Sequence, residues 1–294
     1  RSDLVQIVET ALKYLHPAIV HIPTNALAPG IIESGSREIL QMIRNRQEQV
    51  IFSVKPSIDG VGAAHDRIRG VPGNFAKLEE TINRLKLVES DYPEFNLELG
   101  TVISKYNVDV LDEIENYVHN LGVQSYRNEI AEERAEFFNR GDGITPNPEI
   151  YERMLKRFSQ EILRHLDQKK SSTQLIEALR LTYYDLAVRI LKEKRQVLPC
   201  FGGISNLHLN FDGELWPCCV LAYDYPLANL RESGYDVQAA MQSDQAKKVL
   251  AFVKNRGCYC PLANQWYSNI LLHPPTILRV ISHHFFIDNH KKNS

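Results

Sequence analysis

Through residues 2–127 the chain switches repeatedly between two hydrophobic periods, and this limits its possible folds more than any other feature. Residues 2–15 place Leu4, Ile7, Val8, Leu12 and Leu15 on one helical face, and Pro17 stops the helix. The run Ala18-Ile19-Val20-His21-Ile22 reads as a buried strand, and Pro29-Gly30 as a turn. A helix over 34–47, a strand over 49–57 and a helix over 74–90 follow, the last capped by Asn74 or the preceding glycine. Residues 95–103 read as a strand, 109–121 as a helix ended by Gly122, and 123–127 as a fourth strand. Strand–helix repetition with short connectors predicts an α/β fold on a parallel sheet with right-handed crossovers. A partial barrel and an open doubly wound sheet both fit. The pattern opens on a helix, with no strand before it.

Beyond residue 128 the character changes. Residues 129–138 are charged and read as helical, and Gly141-Asp142-Gly143 and Pro146-Asn147-Pro148 mark a loop. Two long amphipathic helices follow near 148–167 and 172–195, the second with a core stripe of Leu175, Leu179, Tyr183, Leu186 and Ile190. From Cys200 the periodicity is strand-like, with Asp212-Gly213 as a hairpin turn and Leu215–Val220 as the return strand. A helix over 243–256 leads to Cys258-Tyr259-Cys260. The expected divisions are 1–128, a helical insertion 129–199, a small hairpin-plus-helix domain 200–265 and a tail 266–294.

Charge excludes some functions. With 34 basic and 36 acidic residues there is no electrostatic case for nucleic acid or an anionic membrane. No apolar run is long enough to span a bilayer. All five cysteines lie between Cys200 and Cys260, which points to a reducing, cytoplasmic setting and a metal site. A hairpin brings its ends together, so Cys200 and Cys218 meet, and a returning helix can deliver Cys258 and Cys260 to them. Four such thiolates suit a tetrahedral zinc or a cubane iron–sulfur cluster, against five merely buried thiols. Cys219 is left over, because neighbours on a strand face opposite ways.

The loop after the second strand, Ser57-Ile58-Asp59-Gly60 and on to Gly73, carries a hydroxyl, a carboxylate and arginines among glycines. Loops at the carboxyl ends of parallel strands build sites, and these groups can grip a ribose and an amino-acid carboxylate. Thr24-Asn25 lie on the same rim.

Ser57-Ile58-Asp59-Gly60 with His65-Asp66-Arg67-Ile68-Arg69-Gly70 resembles the fourth-strand segment of radical S-adenosylmethionine (radical SAM) enzymes. Cys200, then Gly213-x4-Cys218, then Cys258 and Cys260 resemble the auxiliary-cluster domain of the SPASM or shorter twitch type. Thr24-Asn25-Ala26 is similar to the family's Thr-Asn-Gly, and Asn229-Leu230-Arg231 to its Asn-Leu-Arg. The CxxxCxxC of the catalytic cluster is absent, as is the Gly-Gly-Glu that follows it. The chain therefore reads as the rear of such a protein, with both motifs upstream of residue 1. A degenerate paralogue is the alternative.

The resemblance implies a partial (β/α) barrel and an oxidoreductase. In that chemistry, reductive cleavage of S-adenosylmethionine gives a radical that takes hydrogen from a small-molecule or peptide substrate. It further implies one auxiliary 4Fe–4S cluster on Cys200, Cys218, Cys258 and Cys260, with the catalytic cluster upstream. Ser57, Asp59, Arg69, Asn25 and Arg127 are the expected S-adenosylmethionine contacts, and a flavodoxin or ferredoxin the expected electron donor. No catalytic acid or base stands out, and His65 and His208 read as structural. A non-catalytic metal-binding module is the competing function. The tail, with His283, His284 and His290, reads as packed on the protein.

Overall fold

The computed structural model describes residues 2–47, 49–123, 125–165 and 171–281. The tail histidines and Phe285-Phe286 lie outside the described residues. The chain divides into two compact units, Arg1–Glu129 and Ile130–Ser294.

In the first unit α1 (Leu4–Leu15) precedes β1 (Ile19–Thr24), α2 (Pro29–Arg46) and β2 (Ile51–Pro56). Then come α3 (Ala63–Arg69), α4 (Asn74–Asp91), β3 (Phe95–Ile103), α5 (Leu111–Leu121) and β4 (Ser125–Ile130). The sheet order is β1-β2-β3-β4, with β1–β2 and β2–β3 parallel. One sheet face is apolar. Phe52, Val54, Leu97, Leu99 and Ile103 are buried there, and Leu78, Ile82, Leu85 and Val88 recur along α4 at helical spacing.

Several local expectations change. Pro29-Gly30 is no turn: Pro29 opens α2, because a proline at the first helical position loses no hydrogen bond. The glycine-rich loop after β2 holds a short helix, α3, which Gly70 ends at φ 66°. Gly60 allows the close approach, since a Cβ there would meet the His65 backbone nitrogen at 2.6 Å. Asp66 on α3 caps α4 by accepting the Gly73 and Phe75 N–H groups at 2.6 and 2.7 Å. Residues 129–138 are not one helix. They finish β4 and continue into a single 3-10 turn, Ala135–Phe137.

The second unit holds α6 (Pro148–His165) and α7 (Ser171–Glu193), followed by β5 (His208–Leu209), β6 (Glu214–Trp216) and β7 (Ala228–Asn229). It ends with α8 (Val237–Gln242), α9 (Asp244–Lys254) and α10 (Ala263–Leu271), and residues 274–281 are also helical. The hairpin is part of an antiparallel sheet, β5-β6-β7, turned by Gly213 at φ 95°. The expected helix over 243–256 is α9, entered through a Ser243 cap onto the Ala246 N–H. Position 265 falls inside α10, so the expected boundary there cuts a helix. In α7 the stripe holds at Tyr183, Leu186 and Ile190, while Leu175 is exposed and Ala178 takes the core position. The tail packs partly through Val280 and an Arg279–Asp185 ion pair at 3.0 Å.

Candidate functional site

β6 ends at Trp216, so Cys218 and Cys219 lie in the turn that follows and not on a strand. Strand alternation therefore does not separate them, but their surroundings do. Cys200, Cys258 and Cys260, each partly buried, pack against a buried cluster of Cys218, Cys219, Leu221, Val253 and Leu262. Cys218 feels the charges of Cys258 and Cys200, and Cys260 those of Cys218 and Cys200. Cys219 joins the same apolar packing and also interacts with Cys218, but its first charged neighbours are Arg134, Glu132 and Glu136, and of these Glu132 also acts on Cys260.

Each of the four thiols meets a nitrogen donor. Backbone N–H groups act on three of the sulfurs and lower their pKa values in part: Gly202 on Cys200, Leu221 and Val220 on Cys218, and Leu262 on Cys260. Gln196 Nε2 serves Cys258 at 3.8 Å. Burial outweighs these donors and pushes Cys218 up to about 12 and Cys258 up to about 11; it raises Cys200 and Cys260 as well. A soft, buried thiol set with N–H groups aimed at its sulfurs fits a thiophilic metal centre, whose positive charge offsets the cost of buried thiolates. Among the described residues no three such side chains already close on one ion-sized point.

The Cys258–Cys260 loop is pinned from behind. Trp266 Nε1 donates to Cys260 O at 2.5 Å, and Tyr183 Oη to Pro261 O at 2.8 Å. In front of it a cavity of about 700 Å³ is lined by Cys258, Cys260, Glu132, Arg140, Tyr225 and Phe252 among others.

The remaining candidates lie in the first unit. Ser57 continues β2, bridges to Gly100 and donates its N–H to Thr24 O at 3.0 Å. Asp59 is buried, and both carboxylate oxygens are engaged internally. Oδ1 accepts the Val102 N–H at 2.9 Å, and Oδ2 meets Arg69 Nη2 at 2.8 Å. Burial raises the Asp59 carboxyl, against the pull of Arg69 and Val102. Arg69 keeps a buried Nε without a partner. Asn25 Oδ1 accepts the Leu27 N–H at 3.3 Å. Arg127 lies apart from these, on β4, paired with Glu98 at 2.5 Å. His65 is fully buried, takes the Asp59 N–H on Nδ1 and faces Asn74 Oδ1 with Nε2. His208 stacks on Trp216 at 5.0 Å.

Sequence reasoning missed the polar face of the parallel sheet. His21, Ser53 and Asn96 share one register row. Alternate residues beyond it are Lys55, Glu98, Ser125, Arg127 and Glu129. Lys55 pairs with Glu129 at 2.8 Å, and Glu98 also accepts from Ser125 at 2.9 Å and faces His21 at 3.9 Å. Gly100 leaves room for the Lys55 stem, since a Cβ there would meet Lys55 Cδ at 2.9 Å. Polar residues at every second position of the strands are the signal that marks this face in the sequence.

Comparison with known proteins follows this division. Residues 200–261 match the family model of SPASM, an iron–sulfur cluster-binding domain. The chain is 23% identical over 201 residues to the antilisterial bacteriocin subtilosin biosynthesis protein AlbA of Bacillus subtilis (strain 168). That match takes in 68% of this chain and 39% of AlbA, so the chain spans about two fifths of its relative's length. Among solved structures it resembles native anSMEcpe with bound AdoMet and Kp18Cys peptide, at TM-score 0.53 and 14% identity, over 99% of this chain and 82% of that one. Hexahistidine-tagged anSMEcpe with bound AdoMet gives TM-score 0.52 and 14% identity, over 93% and 72%. These two likenesses concern the fold. No helix among the described residues is long and apolar enough to cross a membrane.

Proposed function

We propose that this chain, a radical SAM protein with a SPASM-type iron–sulfur domain, is the substrate-positioning and auxiliary-cluster part of an oxidoreductase that modifies a peptide. The single observation that carries the reading is the meeting of Cys200, Cys218, Cys258 and Cys260 at one buried cluster, each with a nitrogen donor at its sulfur. These four residues would hold a 4Fe–4S cluster, which supplies one-electron chemistry when bound. Leu221, Val253 and Leu262 keep water from it, and the cavity along Cys258 and Cys260 gives a route to it.

In the first unit, Ser57 and Arg69 are the proposed contacts to S-adenosylmethionine, with Asn25 on the same strand rim. Asp59 acts by fixing Arg69. Arg127 belongs to the polar sheet face, which would receive the substrate. A peptide is favoured because AlbA is named for bacteriocin biosynthesis and one similar structure carries a bound peptide. A flavodoxin- or ferredoxin-type donor and a reducing, cytoplasmic setting complete the proposal.

Anaerobic reconstitution with iron and sulfide tests the cluster. The expected result is one 4Fe–4S cluster per chain, lost on changing Cys200, Cys218, Cys258 or Cys260 to serine and kept in Cys219→Ser. One zinc per chain with no sulfide overturns it.

A further inference from the structure

Three buried carboxamides surround the thiols, and no backbone requirement accounts for all of their atoms. Asn269 is fully buried on α10. Its Oδ1 accepts two donors, the Phe201 N–H at 2.9 Å and Gln265 Nε2 at 3.0 Å. Two donors on one atom identify it as the oxygen, which settles which end of the amide is which. Nδ2 must then point the other way. It is buried without a hydrogen-bond partner at full geometry, and the acceptor on that side is the Cys200 sulfur.

Gln196, just beyond α7, is built alike. It is 2% exposed, and its Nε2 donates to Val253 O at 3.1 Å and to Cys258 Sγ at 3.8 Å. The Val253 carbonyl fixes this amide in turn. Gln265 links the two sides. It orients Asn269, and its Oε1 would lie 3.3 Å from a Cβ at Gly202, beside Cys200. Asn269 Nδ2 has no partner of full geometry, and Gln196 Nε2 divides its bonding between a carbonyl and a sulfur, so a thiolate held by a metal centre gives both nitrogens a better acceptor than a neutral thiol.

We infer that Gln196 and Asn269 are side-chain hydrogen-bond donors to the sulfurs of the bound cluster and hold its reduction potential up. This rests on the four-cysteine cluster proposed above. Each N–H···S bond stabilises the more negative, reduced state over the oxidised one, so removing it lowers the potential. Backbone N–H groups reach three of the sulfurs. Gln196 supplies the donor at Cys258, and Asn269 adds a second at Cys200. Gln265 is a positioning residue, acting through Asn269.

The test is a redox titration of the anaerobically reconstituted full chain, followed by electron paramagnetic resonance, with iron and sulfide measured on each sample. Asn269→Asp keeps the Oδ1 acceptor for Phe201 and puts an oxygen where the donor was. Gln196→Met keeps the length and removes the donor. Both variants are expected to retain iron and sulfide and to titrate at a more negative potential than the unaltered chain, with Asn269→Asp shifted further. Unchanged or more positive potentials at full cluster content overturn the inference. If one variant loses its cluster, the other decides. Failure of the unaltered chain to take up iron and sulfide overturns the four-cysteine reading itself and with it this inference.

Discussion

Gly257→Ala measures how closely the turn ahead of Cys258 is packed. A Cβ at residue 257 would lie far inside van der Waals contact with Phe252 Cε2 and Cδ2. Carbon atoms rest about 3.5–4.0 Å apart, so one side must move by more than about 1 Å. The backbone is held by the Gly257 N–H bond to Phe252 O at 2.9 Å. The ring is held too, stacked on Tyr225 at 4.4 Å and 11°. Losing the stack costs about 0.5–1.5 kcal/mol and overpacking about 1–3 kcal/mol, which sets the expected destabilisation at about 1.5–4.5 kcal/mol. Both tryptophans, Trp216 and Trp266, belong to the Ile130–Ser294 unit, so tryptophan fluorescence in denaturant reports that unit. In a Phe252→Ala background the clash is gone, and Gly257→Ala should cost less than about 0.5 kcal/mol. An equal cost in both backgrounds refutes the packing argument.

Three further outcomes are expected. Burial lowers the His65 and His21 pKa values below 6.5, so the unfolded chain takes up these protons first as pH falls. Their contribution to the stability of the Arg1–Glu129 unit is therefore complete above that value and declines below it, while the raised Asp59 carboxyl acts in the opposite sense at lower pH; circular dichroism melts whose pH dependence near 6 is unchanged by replacing His65 and His21 contradict this. Ala26 sits at φ 61°, a left-handed conformation that costs a residue with a Cβ about 1 kcal/mol. Ala26→Gly should raise the melting temperature slightly, and a clear fall counts against strain there. Asp59→Ala leaves the Val102 N–H and Arg69 without their acceptor and should cost about 3 kcal/mol in denaturant unfolding, with Asp59→Asn costing less.

The order of strands and helices in the first unit was legible because each element buries one face and so carries its own period. Pro29 was misread because proline–glycine is a turn signal, while the same proline suits a helix start. Residues 129–138 misled because their charges are regularly spaced without making a helix. Glu132 bonds Arg134 at 2.8 Å, and Glu133 accepts the Gly141 and Gly143 N–H groups at 2.8 and 3.0 Å. The hairpin itself was readable, but its paired residues run only from His208 to Trp216, and Cys200 comes beside Cys218 through the turn bridged by Gly202 and Asn206. Gln196 and Asn269 could not be found that way. They lie on chain segments with no spacing relation to the thiols they face, and only packing brings them beside the sulfurs.

The thiols come from three stretches of the second unit, and α8 and α9 hang between two of them. A metal centre on those thiols closes both intervening stretches into tied loops. Segments that could otherwise open one at a time must then open together or not at all. Proteases act on openings, so the empty and loaded chains would differ in lifetime as well as in chemistry. If iron fills that centre, the lifetime of each copy would follow the iron supply.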